Sequence, residues 1–417
     1  MKAERGRKDI IMNMPVTEIP LSISRYCAQF KNLFGNEPRF QHFQEYITGL
    51  ILSENVTVEA INTLFPEGSD ASNLNRFLTD APWSAQKINR QRLHLLQKDL
   101  RTRWGKRGVI AIDNTLNRHD GKHFDLIAKL KDHSQGDYPQ AHDLVTSQYV
   151  GPHIQYPLEY RLFIPEAVAE REKRLFKSHT DLAIEMVHQI EGFGCPASTY
   201  TFDIPYTVER LTNVIESYNK NWVGGIKTNR WITVGERKIK AGEFAQELPD
   251  KAYHKEIIHG KEYWVFSKAV RVSHFTKKLR MVISYDNEAR QGEPKIFVTN
   301  VLTWEARRVL TVYDGRWSVE TFYRDSKQEL GLDGYELRDE DGFRRHWYLV
   351  FAAYSCLLSE FHACGRRSWF TAKLLTIGEA RRKLACDTVK NLVDWVRQKV
   401  KDQWEPTQIY ECLSLAS

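Results

Sequence analysis

The sequence predicts an α/β protein: a mixed-sheet core with a helical N-terminal domain, a β-rich insertion and C-terminal helices. Three observations predict it. Apolar residues recur at three-four spacing over residues 16–104, short β-branched runs take over after Gly105, and helical periodicity returns after about residue 305. The 417 residues, 42% hydrophobic and 27% charged, suffice for a sizeable core in two or three domains.

The helical region is carried by RFQHFQEYITGLILSE and AQKINRQRLHLLQKDLRTRW. PEGSDAS at 66–72 parts them, because Pro66 and Gly68 interrupt a helical pattern. RGVIAIDNT then reads as a strand buried on both faces and ending in Asp113. Strand candidates follow at FDLIAKL, DLVTSQYVG and LEYRLFIP, then one helix over 166–191. STYTFDIPYT is a strand ending in Asp203. NWVGGIKTN is another, in which Gly224 and Gly225 suit a close backbone approach. In the insertion, IIHGKEYWVF reads as a hairpin and LRMVISYD and KIFVTNVL as strands. Helices dominate thereafter. The longest apolar run, Trp347 to Leu358, is too short to span a bilayer and reads as a buried helix.

Net charge is +7, and the window 86–107, with eight Lys/Arg against the single Asp99, carries all of it. Such a concentration attracts polyanions, which makes Arg90, Arg92, Arg101 and Arg103 candidate phosphate contacts. The competing reading is a solvated amphipathic helix, since Leu93, Leu96 and Leu100 share one face. The tail from Phe361 to Ser417 adds a milder +4. Six cysteines without a CxxC pair suit a reducing compartment, and the N-terminal MKAERGRKDIIMNMP lacks the apolar stretch of a signal peptide. The expectation is a soluble, cytoplasmic protein with no membrane span.

The chemistry concentrates in YDGRWSVETFYRDSK, residues 313–327. Wound as one helix, it places Tyr313, Arg316, Glu320, Tyr323 and Lys327 along a single stripe. With Asp113 and Asp203 at strand ends, Glu320 makes a third carboxylate. Three such groups repel one another unless cations bind between them. Hard oxygen ligands suit Mg2+, and two ions about 4 Å apart activate a nucleophile and stabilise a leaving oxygen in phosphoryl displacement. Arg316 would fork onto a phosphate, Lys327 would offer a point charge, and Tyr313 would donate a hydrogen bond. The bland alternative is a surface helix whose Arg316–Glu320 pair contributes a few tenths of a kcal/mol. Asp125, Asp132, Asp137 and Asp143 compete with Asp203 but fall in a polar stretch where turn roles are expected. His119, His123, His133, His142 and His153 lack the spacing of a zinc site.

Tyr313, Arg316, Glu320 and Lys327 fit Y-x2-R-x3-E-x6-K at all four positions. The chain thereby resembles the DDE transposases of bacterial insertion sequences. DNT at 113–115 is similar to the family's D-x-T, and RDEDGFRRHWYL resembles the segment after the motif. The likeness spans most of residues 105–360. It implies a ribonuclease-H-like fold of the retroviral-integrase superfamily, with Asp113, Asp203 and Glu320 as the DDE triad. It also implies two Mg2+ ions, for which Mn2+ would substitute. The 117-residue gap from Asp203 to Glu320 fits the family's β-strand insertion. Asn114 stands where the closest relatives in overall pattern often carry a second Asp.

On that resemblance the protein cleaves transposon ends at their terminal inverted repeats, through a 3′-hydroxyl nucleophile, and joins them to target DNA. It acts in the prokaryotic nucleoid, as a homodimer on paired ends. Residues 1–104 would be the DNA-binding domain, 105–230 and 306–360 the two parts of the catalytic core, 231–305 the insertion, and 361–417 a dimer or DNA contact. Trp317 has two readings, core packing or stacking on a displaced base. The rival functions are a structure-specific nuclease and an inactive DNA-binding relative.

Overall fold

The computed structural model describes residues 14–66, 68, 70–132, 135–364 and 376–413, so His133 lies outside the described residues. The chain forms two compact units. One takes the described parts of Met1–Thr102, Asn117–Lys129 and Tyr323–Ser417; the other is Arg103–Leu116 with the described parts of Leu130–Phe322.

The second unit is built on a sheet. Strand Val109–His119 has Gln140–Val150 on one side and Thr199–Phe202 on the other, and Gln155–Phe163 pairs antiparallel with Gln140–Val150. Thr199–Phe202 runs parallel to Val109–His119, and Asn221–Ile226 runs parallel to Thr199–Phe202. Three sequential strands followed by two parallel ones make a ribonuclease-H-like core. Parallel neighbours need long connections. Helix His179–Gly192 precedes Thr199–Phe202, and helix Glu209–Ser217 precedes Asn221–Ile226.

Three local expectations change. The helix expected over 166–191 is two, because Glu166–Arg171 ends ahead of Lys173 at φ 54° and a new helix starts behind Ser178. The Ser178 and Asp181 side chains cap each other's backbone there, a strong local start signal. Asp143, expected in a loop-rich stretch, lies inside strand Gln140–Val150 and is buried. Asp113 is not the last residue of its strand. What ends at Ile112 is the parallel pairing with Phe202.

The insertion continues this sheet. Lys295–Thr299 pairs antiparallel with Asn221–Ile226 and with Lys278–Tyr285, which pairs with Lys261–Val272. That strand carries His254–Ile258 and Trp231–Val234 along its other edge, and Arg237–Lys240 comes last. The expected IIHGKEYWVF hairpin turns at His259 and Gly260, both with positive φ. Helix Ala306–Asp314 lies on the sheet, packing Val309 and Leu310 against Val223, Val265, Val282 and Phe297.

The first unit is helical. Helix Glu340–Cys364 buries every residue from Trp347 to Leu358 and packs against Glu37–Leu52, Ala71–Thr79, Ala85–Lys98 and Ile377–Lys401. Its burial explains the long apolar run, and no helix among the described residues is long and apolar enough to cross a membrane. Arg92 belongs to this core. It is fully buried, its guanidinium donates to Asn89 Oδ1 and Ser355 Oγ, and it lies over the Phe351 ring. That corrects its assignment as a phosphate contact, since a committed buried cation cannot reach DNA from this position. The leucine face drew it inward.

His346, on the same long helix, accepts from Tyr46 Oη at 2.8 Å through Nδ1 and donates from Nε2 to the Gly331 carbonyl at 3.0 Å. Burial lowers its pKa to about 4, with the Gly331 carbonyl opposing only in part. An unfolded chain would protonate this imidazole below about 6.5. Stability should therefore be lost as pH falls from about 6.5 towards 4. Denaturant melts at pH 7 and pH 5 should show the drop, and His346→Gln should shrink it; an equal drop in both proteins contradicts the assignment.

Candidate active site

Register brings the first two acids together. Ile112 pairs with Phe202 and Phe202 with Gly224, so Asp113, Asp203 and Gly225 are the next residues on three adjacent parallel strands. Neighbouring strands lie about 4.8 Å apart, which sets two carboxylates and one bare backbone side by side. Gly225 gives the room: a Cβ there would meet Ile204 Cγ1 at 3.0 Å, Tyr313 Oη at 3.4 Å and Asp203 Oδ1 at 3.8 Å. At Gly224 a Cβ would overlap Thr207 Oγ1 at 2.3 Å. The close approach expected of this pair is thus real at both positions.

The 313–327 stretch supplies the rest. It is not one helix, because Ala306–Asp314 ends at Gly315 and a second helix runs Trp317–Leu330. Tyr313 leaves the first helix with its ring against Phe297, centroids 4.4 Å apart, and donates from Oη to Asp203 Oδ1 at 3.0 Å. Arg316 stands at the junction. Its Nη1 donates to Asp113 Oδ2 at 2.7 Å and its Nη2 to Glu320 Oε1 at 2.9 Å. The guanidinium lies over the Tyr313 ring, 5.5 Å from its centroid, and feels the charge of Asp203, which Tyr313 rather than Arg316 bonds.

The electrostatics follow from burial. The Asp113 pKa rises to about 6, chiefly by loss of water, against the pull of Arg316 and the Asn114 backbone N–H and with a push from Asp203. The Tyr313 hydroxyl is raised for the same two reasons, burial first and the Asp203 charge second. Arg316 stays firmly protonated: its burial lowers its pKa, but Tyr313 and the three carboxylates more than compensate.

The donor set fits hard divalent cations. It consists of carboxylate oxygens, one of them held above its usual range by burial, and a nearby cation would relieve that cost. Arg316 Nε is buried without a hydrogen-bond partner, so the guanidinium is anchored only by its two Nη atoms. Among the described residues, no three acidic, His or Cys side chains are already gathered as a metal cluster. Arg316 bridges Asp113 and Glu320 instead, and Tyr313 holds Asp203.

Other expected residues fall elsewhere. Lys327, two turns beyond Glu320 on the same helix, has its Nζ 3.7 Å from Asp333. Arg90 is exposed on helix Ala85–Lys98, Arg101 is paired with Asp99, and Arg103 is exposed. Trp317 is 63% exposed, which excludes core packing. It borders a cleft of about 740 Å³ that Gly225, Lys227, Lys261, Lys295 and Tyr313 also line.

One cluster was missed from sequence. Asn114 donates from Nδ2 to Asp143 Oδ1 at 2.9 Å, and His179 Nε2 lies 2.7 Å from Asp143 Oδ2. An Asp at position 114 would set two carboxylates against each other, so Asn114 is matched to Asp143. No spacing rule links 114, 143 and 179; only strand register does. Asp125 and Asp132 have structural roles, accepting from the backbone N–H groups of Glu340 and Gln135.

Residues 29–240, half of the chain, match the family described as DDE superfamily endonuclease. The chain belongs to that family. The match contains Asp113 and Asp203 and ends before Glu320. The chain is also 22% identical over 258 residues to a protein of Microchaete diplosiphon described as a probable transposase for insertion sequence element IS701. That alignment covers 58% of this chain and 66% of the relative, under two thirds of its length. Membership of the DDE endonucleases implies dependence on divalent metal.

Proposed function

We propose that this DDE-family chain is a DNA transposase, which cuts the ends of a mobile element and joins them to target DNA. The observation that carries the reading is the convergence of Asp113, Asp203 and Glu320 on Arg316 and Tyr313: Arg316 bonds Asp113 and Glu320, and Tyr313 bonds Asp203. These acids would hold two Mg2+ ions, replaceable by Mn2+, which supply Lewis-acid activation of the nucleophile and stabilisation of the leaving oxygen. Arg316 and Tyr313 lie beside the same carboxylates, where a phosphate drawn into the site would find a fork and a hydroxyl. Tyr313 also fixes the rotamer of Asp203. Water first breaks a phosphodiester and leaves a 3′-hydroxyl; that hydroxyl then attacks a second phosphodiester, forming one P–O bond as another breaks.

Double-stranded DNA is the substrate, with exposed Arg90 and Arg103, together with Lys327, as backbone contacts and Arg101 as a weaker candidate because Asp99 holds it. A homodimer on paired ends is the proposed working form. Incubating the chain with duplexes carrying the element's end repeats and Mg2+ tests the reading. A nick followed by a covalent joint to a second duplex supports it; a nick without a joint favours a nuclease, and neither product favours an inactive DNA-binding relative.

Trp317 enters through its exposure. An indole at the helix start, beside the cleft and three residues from Glu320, suits stacking on an unpaired base. Base stacking contributes about 1–3 kcal/mol, so Trp317→Ala should slow the step after first nicking by about 5- to 150-fold. Its melting should stay within about 0.5 kcal/mol of the parent, as for most exposed positions. A two-step cleavage time course checks this, and equal slowing of both steps would refute stacking.

A further inference from the structure

The insertion ends in an arrangement that sheet energetics disfavour. Arg271 pairs with Lys278 on one side and with Thr233 on the other, and Thr233 pairs with Lys238. Residues paired across strands stand on the same face, so Lys238, Thr233, Arg271 and Lys278 form one row across four strands. All three cations are exposed. Like charges directly opposite are destabilising, and Arg271 and Lys278 are such a pair.

Compensation is missing where it would be expected. The nearby acids are engaged: Glu209 accepts from the Thr276 backbone and hydroxyl, Glu216 pairs with Lys277, Glu247 pairs with Arg237, and Glu243 pairs with Lys240 at the end of the row. Among the described residues, Arg271 makes one long approach, to the Thr276 carbonyl at 3.5 Å. Beside the row, Trp231 faces its cross-strand partner Lys240, with the Lys238 and Lys240 ammonium groups 5.4 and 5.8 Å from its ring. The indole is 42% exposed.

Protection of a sheet edge is the usual reason for surface lysines on strands. It accounts for Lys238, on the outermost strand. It does not account for Arg271, which pairs with Thr233 on one side and Lys278 on the other, whereas the ladder beyond Lys278 starts only at Arg280. We propose that the Lys238–Arg271–Lys278 row, with Trp231 and Lys240 at its end, is a docking surface for the phosphate backbone of duplex DNA. The row spans about 14 Å at the usual strand spacing, and duplex DNA presents one negative charge per about 1.7 Å of axis. A polyanion of that density relieves the repulsion that folding leaves in place. The surface deepens the transposase reading and rests on it for the choice of DNA over another polyanion.

The test is equilibrium binding of a random-sequence duplex in EDTA over a range of salt, where no cleavage intervenes. The triple variant Lys238→Gln, Arg271→Gln, Lys278→Gln should bind more weakly. Its slope of log K against log salt should fall by about 0.9 for each phosphate that is no longer neutralised, up to about 2.7. Thermal melting should not drop, because like-charge repulsion is removed. A comparison variant removes the same charge from exposed Lys173, Lys251 and Lys268, of which Lys268 lies on the opposite face of its strand. A slope unchanged in the triple variant, or lowered equally in both, overturns the proposal. Failure of the transposase reading shows separately, as an absence of cleavage and joining by the unaltered chain with Mg2+.

Discussion

Asp113→Asn, Asp203→Asn and Glu320→Gln should each abolish metal-dependent cleavage, by about a thousandfold or more, while duplex binding survives. The amides keep the shape of the acids and their acceptor oxygens, so Arg316 and Tyr313 keep a partner. What is lost is the negative charge that would hold the metal ions. Asp113→Asn carries its own folding control. Its carboxyl is raised to about 6 in the folded chain, above the value near 3.9 in an unfolded one. The charged form therefore costs stability once pH rises above about 4, with the full cost present above about 6. The amide avoids it, so the variant should melt no lower than the parent at pH 7. Gel assays of nicking, duplex binding in Ca2+ and a melting curve on each variant check the set. Near-normal cleavage by Asp203→Asn would remove that residue from the triad and turn attention to Asp143, the buried acid that Asn114 holds.

Replacing Arg316 should have the second largest effect, on stability as well as activity. Removing one partner from a buried ion pair costs about 3–5 kcal/mol, because the other charge is left uncompensated. Arg316→Ala leaves Asp113 buried beside the charge of Asp203. Its pKa should rise further, so the loss is greatest near pH 7.5 and is partly relieved at pH 5.5, where Asp113 takes a proton. Lysine is no substitute here. Arg316 reaches Asp113 and Glu320 through two different nitrogens, and a single ammonium cannot reproduce that fork. Arg316→Lys should therefore fold better than the alanine variant yet cleave about a hundredfold slower than the parent. Denaturant melts at the two pH values separate the effects. An alanine variant as stable as the parent at both would mean that the three acids are not coupled through this side chain.

Much of the architecture was legible because each element announces itself locally. Gly105 marks the change from helices to strands, and the run VIAI is a strand buried between its neighbours; the helix start at Ser178–Asp181 was passed over, and residues 166–191 were read as one helix. Helix Glu209–Ser217 was less visible, since nine residues with Leu211 and Ile215 as the apolar pair give a weak period. The four-residue motif pointed to Arg316 and Glu320, and their hydrogen bond is a local i, i+4 contact. Long-range register was not legible. Nothing in the sequence says that Ile112 pairs with Phe202, which is what sets Asp113 beside Asp203, or that Asp143 meets Asn114. Arg92 failed for a related reason. Charge was counted along the chain, whereas burial depends on which helix face meets the long helix Glu340–Cys364.

The strands of the insertion share one ladder with the catalytic strands, and this limits how the protein can be cut down. Removing residues 231–294 would leave Lys295–Thr299 as an outermost strand whose IFV run has bare N–H and C=O groups along one side. Such a rim invites another copy to add itself by β-pairing. It would also take Val265 and Val282 from beneath helix Ala306–Asp314, the segment that aims Tyr313 at Asp203. A shortened chain should therefore precipitate or lose activity even with every acid intact. The segment works as the keel of the catalytic sheet, and engineering of substrate preference has to proceed by exchanging side chains on its faces.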